Sequence, residues 1–231
     1  MSSIIKLRGK GVSRIINSKV MLSPLAGVTD KIFRKLVRKW APESLLFTEM
    51  INATSLKHGY GTQKIKQLEL EKGPIGVQIF DNRPFAVSEA AKLAEDSGAF
   101  LIDINMGCPV KKISRKGGGS ALINDRLLAI ELVKRVSNAV KVPVTVKTRL
   151  GWENKEENIE EFLLSLQDAG AEMITLHGRT RKEGFSGKAD WEMIGKIKEL
   201  LEIPVIANGD IKNPKDAFNC FKKTNADGLM I

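Results

Sequence analysis

Short apolar runs alternate with longer amphipathic stretches from residue 20 to residue 231. The runs are rich in β-branched residues and lack a polar face, which is typical of parallel strands that are buried on both sides. We expect eight strands, over Val20–Ser23, Leu45–Thr48, Ile75–Phe80, Phe100–Ile104, Val142–Lys147, Met173–His177, Ile203–Ala207 and Ala226–Ile231.

The amphipathic stretches between these runs predict helices. They cover Lys31–Lys39, Phe85–Asp96, Ser120–Val140, Asn158–Asp168, Trp191–Leu201 and Pro214–Lys223. Eight strand–helix units in about two hundred residues predict a closed (β/α)8 or TIM barrel of the α/β class. An open doubly wound sheet is less favoured, because no Gly-x-Gly-x-x-Gly turn follows the first strand.

The two ends of the sequence differ from the repeating part. Residues 1–19, with Gly9 and Gly11 between short apolar runs, predict an N-terminal hairpin that plugs the barrel floor. Residues 20–231 are the predicted barrel domain. Since a complete barrel has a helix after strand eight and chain ends are usually polar, the apolar ending Gly228–Ile231 leads us to expect a barrel truncated after strand eight.

The chain is strongly basic, with 37 Lys and Arg against 27 Asp and Glu and a net charge of +10. This surplus favours nucleic acid as a partner, ahead of an anionic membrane. The charges cluster after the first predicted strand (Lys31, Arg34, Lys35, Arg38 and Lys39) and after the fourth (Lys111, Lys112, Arg115 and Lys116). Because both clusters follow strand ends, we expect them to rim one face of the barrel.

Cysteine usage and hydropathy indicate the compartment. The chain has two cysteines, Cys108 and Cys220, in unlike settings far apart in sequence. A disulfide framework is therefore not expected, and a reducing cytoplasm fits best. No apolar run approaches the length of a membrane span, so no membrane association is expected.

Polar side chains follow most of the predicted strands, at the end where parallel α/β proteins carry their chemistry. They are Gln78, Asn105, Cys108, Lys147, Arg149, His177, Arg179, Asn208 and Asp210. Side-chain amides match the amide-like edge of a flavin or a pyrimidine, and Lys147 could face the negative charge of a reduced flavin. No group of these residues has metal-ligand spacing, so no metal is expected.

Several motifs together resemble the tRNA-dihydrouridine synthases. They are Ser23-Pro-Leu-Ala-Gly-Val-Thr-Asp30, Phe47-Thr-Glu-Met50, Asn105-Met-Gly-Cys-Pro109, Lys116-Gly-Gly-Gly-Ser-Ala-Leu122, Val146-Lys-Thr-Arg149, His177-Gly-Arg-Thr180 and Asn208-Gly-Asp210. The resemblance implies an FMN-dependent TIM barrel that reduces uridines of tRNA, with NADPH as reductant. A helical domain that grips the tRNA follows the barrel in that family, and this sequence ends before that domain and before the family's Gly-Arg-Gly phosphate loop.

The resemblance also implies residue roles, with the thiol of Cys108 as the acid that protonates C5 of uracil. The implied FMN-binding residues are Pro24, Leu25, Ala26, Gln78, Lys147, His177, Asn208, Gly209 and Asp210. The implied substrate-binding residues are Asn105 and, on the basic loop, Lys111, Lys112 and Arg115. Arg149 and Arg179 serve either substrate phosphates or the structure.

Two alternatives stay open from the sequence. The first is an FMN barrel that acts on a free pyrimidine, similar to dihydroorotate or dihydropyrimidine dehydrogenases. The net charge of +10 and the basic loop after Cys108 count against so small a substrate. The second is a non-catalytic fragment that binds RNA without flavin.

Overall fold

The computed structural model describes residues 4–66, 68–154 and 158–231. The strands are β1 Ile5–Arg8, β2 Ser13–Ile16, β3 Val20–Met21, β4 Leu46–Phe47, β5 Ile51–Asn52, β6 Ile75–Phe80, β7 Leu101–Met106, β8 Val144–Arg149, β9 Ile174–His177, β10 Val205–Asn208 and β11 Gly228–Met230. The helices are α1 Lys31–Trp40, α2 Ala53–Lys57, α3 Pro84–Asp96, α4 Lys111–Ser114, α5 Arg126–Ala139, α6 Ile159–Asp168, α7 Trp191–Leu200 and α8 Pro214–Thr224. Short 3₁₀ turns cover Thr62–Lys64, Leu68–Leu70 and Gly119–Ile123.

Eight strands form one parallel sheet in the order β3-β11-β10-β9-β8-β7-β6-β4, and β5 adds to β6. The N–H of Leu22 donates to the carbonyl oxygen of Leu45 at 3.1 Å, next to the facing ends of β3 and β4. This hydrogen bond joins the two outer strands of the sheet. The predicted (β/α)8 barrel is confirmed.

Alternate residues along each strand face the helices or the barrel interior. On β7, Ile102 and Ile104 pack in the apolar layer between sheet and helices. Leu101 instead packs with Phe47, Met173 and other inward-facing residues in a separate apolar cluster at the lower end of the barrel. Inward positions further along the strands are polar, so the barrel has an apolar floor beneath a polar upper layer.

The N-terminal hairpin lies under this floor. β1 and β2 pair antiparallel, and Ile5, Leu7 and Ile16 belong to the inner apolar cluster. Arg14 Nε donates to the carbonyl oxygen of Phe100 at 3.2 Å, just before β7 begins. The hairpin therefore covers the amino ends of the strands, opposite the predicted site. Residues 1–3 of the predicted 1–19 segment lie outside the described residues.

The predicted helix over 120–140 differs from the structure. A 3₁₀ turn covers Gly119–Ile123, and α5 begins only at Arg126. Asp125 separates the two, because its side chain accepts a hydrogen bond from the N–H of Leu128 at 3.1 Å and caps the new helix. The break leaves the 3₁₀ turn free to fold against the loop that carries Cys108.

Candidate active site

The strand register brings the predicted polar residues to one end of the barrel. Gln78 on β6 is paired with Asp103 on β7, and Asn105 on β7 is paired with Lys147 on β8. His177 on β9 lies between Arg149 and Asn208 of the neighbouring strands. These residues share the inward-facing alternation of their strands, so they converge at the carboxyl end of the sheet.

Cys108 lies in the loop directly after β7. Oδ1 of Asn105 accepts hydrogen bonds from the N–H of Gly107 at 3.2 Å and of Cys108 at 2.9 Å. The carbonyl oxygen of Cys108 accepts from the N–H of Ser120 at 3.2 Å. Gly119, with φ of 60°, lies so close that a Cβ there would be 3.0 Å from that carbonyl oxygen. The loop is thus fixed from both sides.

The thiol of Cys108 is half-buried and is not in a disulfide. Burial raises its pKa, and this outweighs the N–H of Val110 and the positive charges of Arg149 and Lys147, which act in the opposite direction. The sulfur therefore keeps its proton at neutral pH. A protonated thiol is able to act as a general acid.

A chain of buried hydrogen bonds supports this loop from below. Asp103, fully buried, accepts from Gln78 Nε2 and from Thr145 Oγ1, both at 2.6 Å. Gln78 Oε1 accepts from Asn105 Nδ2 at 2.8 Å. Gln78 is itself fully buried, so its predicted contact with flavin stays a prediction.

Lys147 on β8 brings a positive charge into the site. Its Nζ donates to Oδ1 of Asn208 at 2.7 Å. Asn208 Nδ2 in turn donates to the carbonyl oxygen of Met230 at 2.9 Å and lies 3.5 Å from Ser23 Oγ. Burial, with a smaller effect from Arg149, lowers the pKa of Lys147 to about 8. This ammonium group would gain from a negative neighbour.

His177 lies beside Lys147 as a neutral imidazole. Burial first, and then the positive charges of Lys147, Arg149 and Arg179, hold its pKa far below the usual value. Its Nδ1 is buried and has no hydrogen-bond partner among the described residues. A buried unpaired nitrogen is costly, which favours a partner supplied by a ligand.

His177 borders a cavity of about 360 Å³. His177, Asn208, Gly209, Asp210 and Met230 are among the residues that line it. Its volume falls in the range of small-molecule sites, about 300–1,000 Å³. The predicted cofactor residues of β9 and β10 therefore border one cavity.

The turn after β3 carries the three remaining predicted cofactor residues. Pro24 is half-buried, whereas Leu25 and Ala26 are exposed. Gly27, with φ of 76°, donates its N–H to Glu49 Oε1 at 2.7 Å, and Thr29 hydrogen-bonds back to Leu25. This turn presents a small apolar surface beside Ser23, which a flat ring could cover.

Arg149 and Arg179 bind backbone carbonyl groups. Arg149 donates to the carbonyl oxygens of Gly107, Thr180 and Gly184 at 2.8 to 3.0 Å. It therefore ties the Cys108 loop to the loop after β9. A contact between Arg149 and substrate phosphate stays a prediction.

Arg179 forms an ion pair with Asp210 at 2.8 Å and also donates to the carbonyl oxygens of Ser186 and Gly187. Asp210 additionally accepts from the N–H of Ala189 at 2.7 Å. These contacts give both side chains a structural role. The predicted contacts of Arg179 with substrate and of Asp210 with the cofactor stay predictions.

Two residues of the first basic cluster, Arg34 and Arg38, do not lie on the predicted rim. The helix α1 runs back along the outside of the barrel, so Arg38 donates to the carbonyl oxygen of Pro74, just before β6 begins. Arg34 is buried in an ion pair with Glu71. The prediction that both clusters rim one face is wrong for these two residues. Lys111, Lys112 and Arg115, in contrast, are exposed just after the Cys108 loop.

Two residues of the site were not singled out from the sequence. Asp103 lies within an apolar run, and only the pairing of β6, β7 and β8 reveals its partners. Phe185 is 80% exposed, lies between two glycines with positive φ, and meets the ring of His177 edge-on at 6.4 Å. An exposed aromatic between glycines was the available signal for Phe185.

A family model described as dihydrouridine synthase (Dus) matches residues 21–231. A probable tRNA-dihydrouridine synthase 1 from Synechocystis sp. is 52% identical over 218 residues, which cover 94% of this chain and 61% of that protein. The tRNA-dihydrouridine synthase B of Vibrio parahaemolyticus is 39% identical over 219 residues, covering 94% and 67%. The chain belongs to the dihydrouridine synthase family, and it spans about two thirds of the length of these curated relatives.

Among solved structures, histamine dehydrogenase from Rhizobium sp. 4-9 has a similar fold, with a TM-score of 0.72. The alignment covers 100% of this chain and 45% of that one, at 13% sequence identity. So low an identity supports the barrel fold alone. Within residues 4–66, 68–154 and 158–231, no helix is long and apolar enough to cross a membrane, and no three His, Cys, Asp or Glu side chains form a metal-binding group.

Proposed function

We propose that the protein reduces the C5–C6 double bond of uridine in tRNA to 5,6-dihydrouridine, with FMN as cofactor and NADPH as reductant, in the cytoplasm. Family membership and the names of the relatives support this activity. The observation that carries it is the placement of Cys108. Its protonated thiol lies at the carboxyl end of the barrel, in a loop next to the strand of Lys147.

The flavin would lie between the turn after β3 and the cavity beside His177. Pro24, Leu25 and Ala26 would pack along the ring, and Lys147 would face its pyrimidine edge. Asn208 holds the ammonium group of Lys147 in place. When bound, the flavin supplies a hydride for C6 of the uracil ring.

Cys108 supplies the other hydrogen. Its S–H bond breaks as the proton moves to C5 of uracil, and the thiolate left behind takes a proton from solvent before the next turnover. Asn105 is hydrogen-bonded to the backbone N–H of Cys108, and its amide would orient the uracil ring beside the thiol. General acid catalysis of this kind contributes roughly 10²–10⁴-fold to the rate.

The tRNA would approach over α4. A uridine in folded RNA must leave its stack to reach Cys108, which costs a few kcal/mol. Phosphate contacts with Lys111, Lys112 and Arg115, all exposed beside the Cys108 loop, would offset part of this cost. Binding of tRNA should therefore weaken as salt increases.

Cys108→Ala tests the proposal in the full protein, with Cys220→Ala as the matched control. Cys220 is fully buried on α8, away from the strand ends. Both variants are given NADPH and a tRNA transcript that lacks modifications, and dihydrouridine is counted. We expect Cys108→Ala to keep flavin absorbance near 450 nm but to lose about 10²–10⁴-fold in turnover. Cys220→Ala should turn over normally.

Three results would overturn the proposal. Undiminished turnover by Cys108→Ala would remove the thiol from the chemistry. Reduction of free orotate or uracil, with none of tRNA, would favour the free-pyrimidine alternative. A colourless protein that binds RNA would indicate the non-catalytic alternative.

A further inference from the structure

We propose that Asp103 is a positioning residue for Cys108: through Gln78 and Asn105 it fixes the backbone of the loop that carries the thiol. The inference rests on the proposed role of Cys108 as the proton donor. The structure links the four residues by consecutive hydrogen bonds, from the interior of the barrel to its carboxyl end.

The first step is the orientation of Gln78. An ionised carboxylate has acceptors only, so the side chain of Gln78 must turn its Nε2 towards Asp103. The observed distance between Nε2 and Oδ2 is 2.6 Å. The other carboxylate oxygen is held by Thr145 Oγ1 at 2.6 Å, so the carboxylate is anchored on both sides.

The second step transfers this orientation to the loop. Because Nε2 of Gln78 faces Asp103, its Oε1 faces Asn105 and accepts from Nδ2 at 2.8 Å. Asn105 then presents Oδ1 to the N–H groups of Gly107 and Cys108, which can only donate. A flip of either amide would place donor against donor, so the chain of bonds allows one arrangement.

Asp103 places an ionisable side chain in the interior of the barrel. It is fully buried, and burial raises its pKa to about 6 despite the two hydrogen bonds and the charge of Lys147. Leu101, two residues earlier on the same strand, fills the equivalent inward position with an apolar side chain. A carboxylate at position 103 therefore makes the fold less stable than an apolar side chain would. A residue that is kept despite this loss of stability fits a positioning role.

Two substitutions separate positioning from general stability. In Asp103→Asn, the amide oxygen still accepts from Gln78, and its Nδ2 donates to the Thr145 hydroxyl, which rotates to accept. In Asp103→Leu, Gln78 loses its anchor and is free to flip. Asp103→Ser makes the same break with a short polar side chain, in case Asp103→Leu yields no folded protein.

The assay uses the full flavin-loaded enzyme with unmodified tRNA. We expect Asp103→Leu and Asp103→Ser to lose about tenfold or more in kcat, with little change in KM for tRNA. Asp103→Asn should restore kcat to within about threefold. Thr175→Val is the matched control, because Thr175 is a buried threonine on β9, two strands away from Asp103. Its hydroxyl has no hydrogen-bond partner among the described residues.

A second readout follows the thiol itself. In a Cys220→Ala background, the rate of alkylation by iodoacetamide reports the position and exposure of Cys108. We expect Asp103→Leu or Asp103→Ser to change this rate at least about threefold, with Asp103→Asn and Thr175→Val unchanged. This readout is independent of turnover, so it distinguishes a failure of the positioning role from a failure of the proposed reaction.

The proposal is overturned if Asp103→Leu or Asp103→Ser leaves both kcat and alkylation unchanged. It is equally overturned if Asp103→Asn loses as much kcat as Asp103→Leu at equal flavin content, because the carboxylate charge would then matter rather than the hydrogen-bond chain.

Discussion

The Lys147→Met variant should make the flavin-free protein more stable at neutral pH. Burial and the nearby Arg149 disfavour the protonated form of Lys147 and lower its pKa from 10.5 to about 8. In the unfolded chain the same ammonium group is in water. Folding at pH 7 therefore forces this charge into a less favourable setting, and a methionine of similar length avoids the cost.

The magnitude follows from the two pKa values. The difference between 10.5 and about 8 corresponds to about 3 kcal/mol of lost stability at pH 7. The loss of the Lys147 donor would leave Asn208 Oδ1 without that partner, at a cost of about 1–2 kcal/mol. The side chain of Lys147 also keeps some exposure, which reduces the gain. We expect a net stabilisation of about 1 kcal/mol.

The pH dependence gives the sharper test. The cost of Lys147 is fully present below pH 8 and disappears as pH rises through 10.5, where both folded and unfolded lysine are neutral. The advantage of Lys147→Met should therefore shrink between pH 8 and pH 10. Urea unfolding at pH 7 and pH 10 measures it, with exposed Lys141→Met as the control. The reasoning is refuted if Lys147→Met is less stable than wild type at pH 7. It is also refuted if the stability difference between the two proteins is the same at pH 7 and pH 10.

Two further substitutions test the floor of the barrel and the start of α5. Gly9→Ala should destabilise the protein by about 1–3 kcal/mol in urea unfolding, because a Cβ would lie 2.8 Å from Pro143 N and 2.9 Å from Val12 O; an unchanged midpoint would contradict this packing of the hairpin. Asp125→Ala should lower the free energy of unfolding by about 1 kcal/mol in the same assay. The substitution removes the side chain that caps α5 by accepting a hydrogen bond from the N–H of Leu128. Asp125→Asn, which keeps an acceptor, should recover most of that loss.

The barrel could be predicted from the sequence because its strands are apolar on both faces and its helices are amphipathic. The break before Arg126 could not, because apolar periodicity continues across residues 120–140. The cap at Asp125 depends on a local hydrogen bond to Leu128, which periodicity does not report. Likewise, spacing alone placed Arg38 near a strand end, whereas the direction of α1 carries it to the opposite end.

The sequence predicts those residues of the candidate site whose role depends only on their own place at the end of a strand. Asn105, Lys147 and Asn208 follow from the rule that polar residues at the carboxyl ends of parallel strands converge. The role of Asp103 depends instead on partners 25 and 42 residues away in sequence. Such a role becomes visible only when the register of three strands is known.

Burial in the barrel changes the pKa values of both Cys108 and Lys147. Removal of water from the upper layer favours the neutral form of every group there. For Cys108 it raises the pKa, which keeps the proton that a general acid must deliver. For Lys147 it lowers the pKa to about 8, which leaves the group mostly charged at neutral pH and sensitive to any anion that binds beside it. The same burial thus keeps the thiol of Cys108 protonated and leaves the ammonium group of Lys147 in a setting where a bound anion would stabilise it.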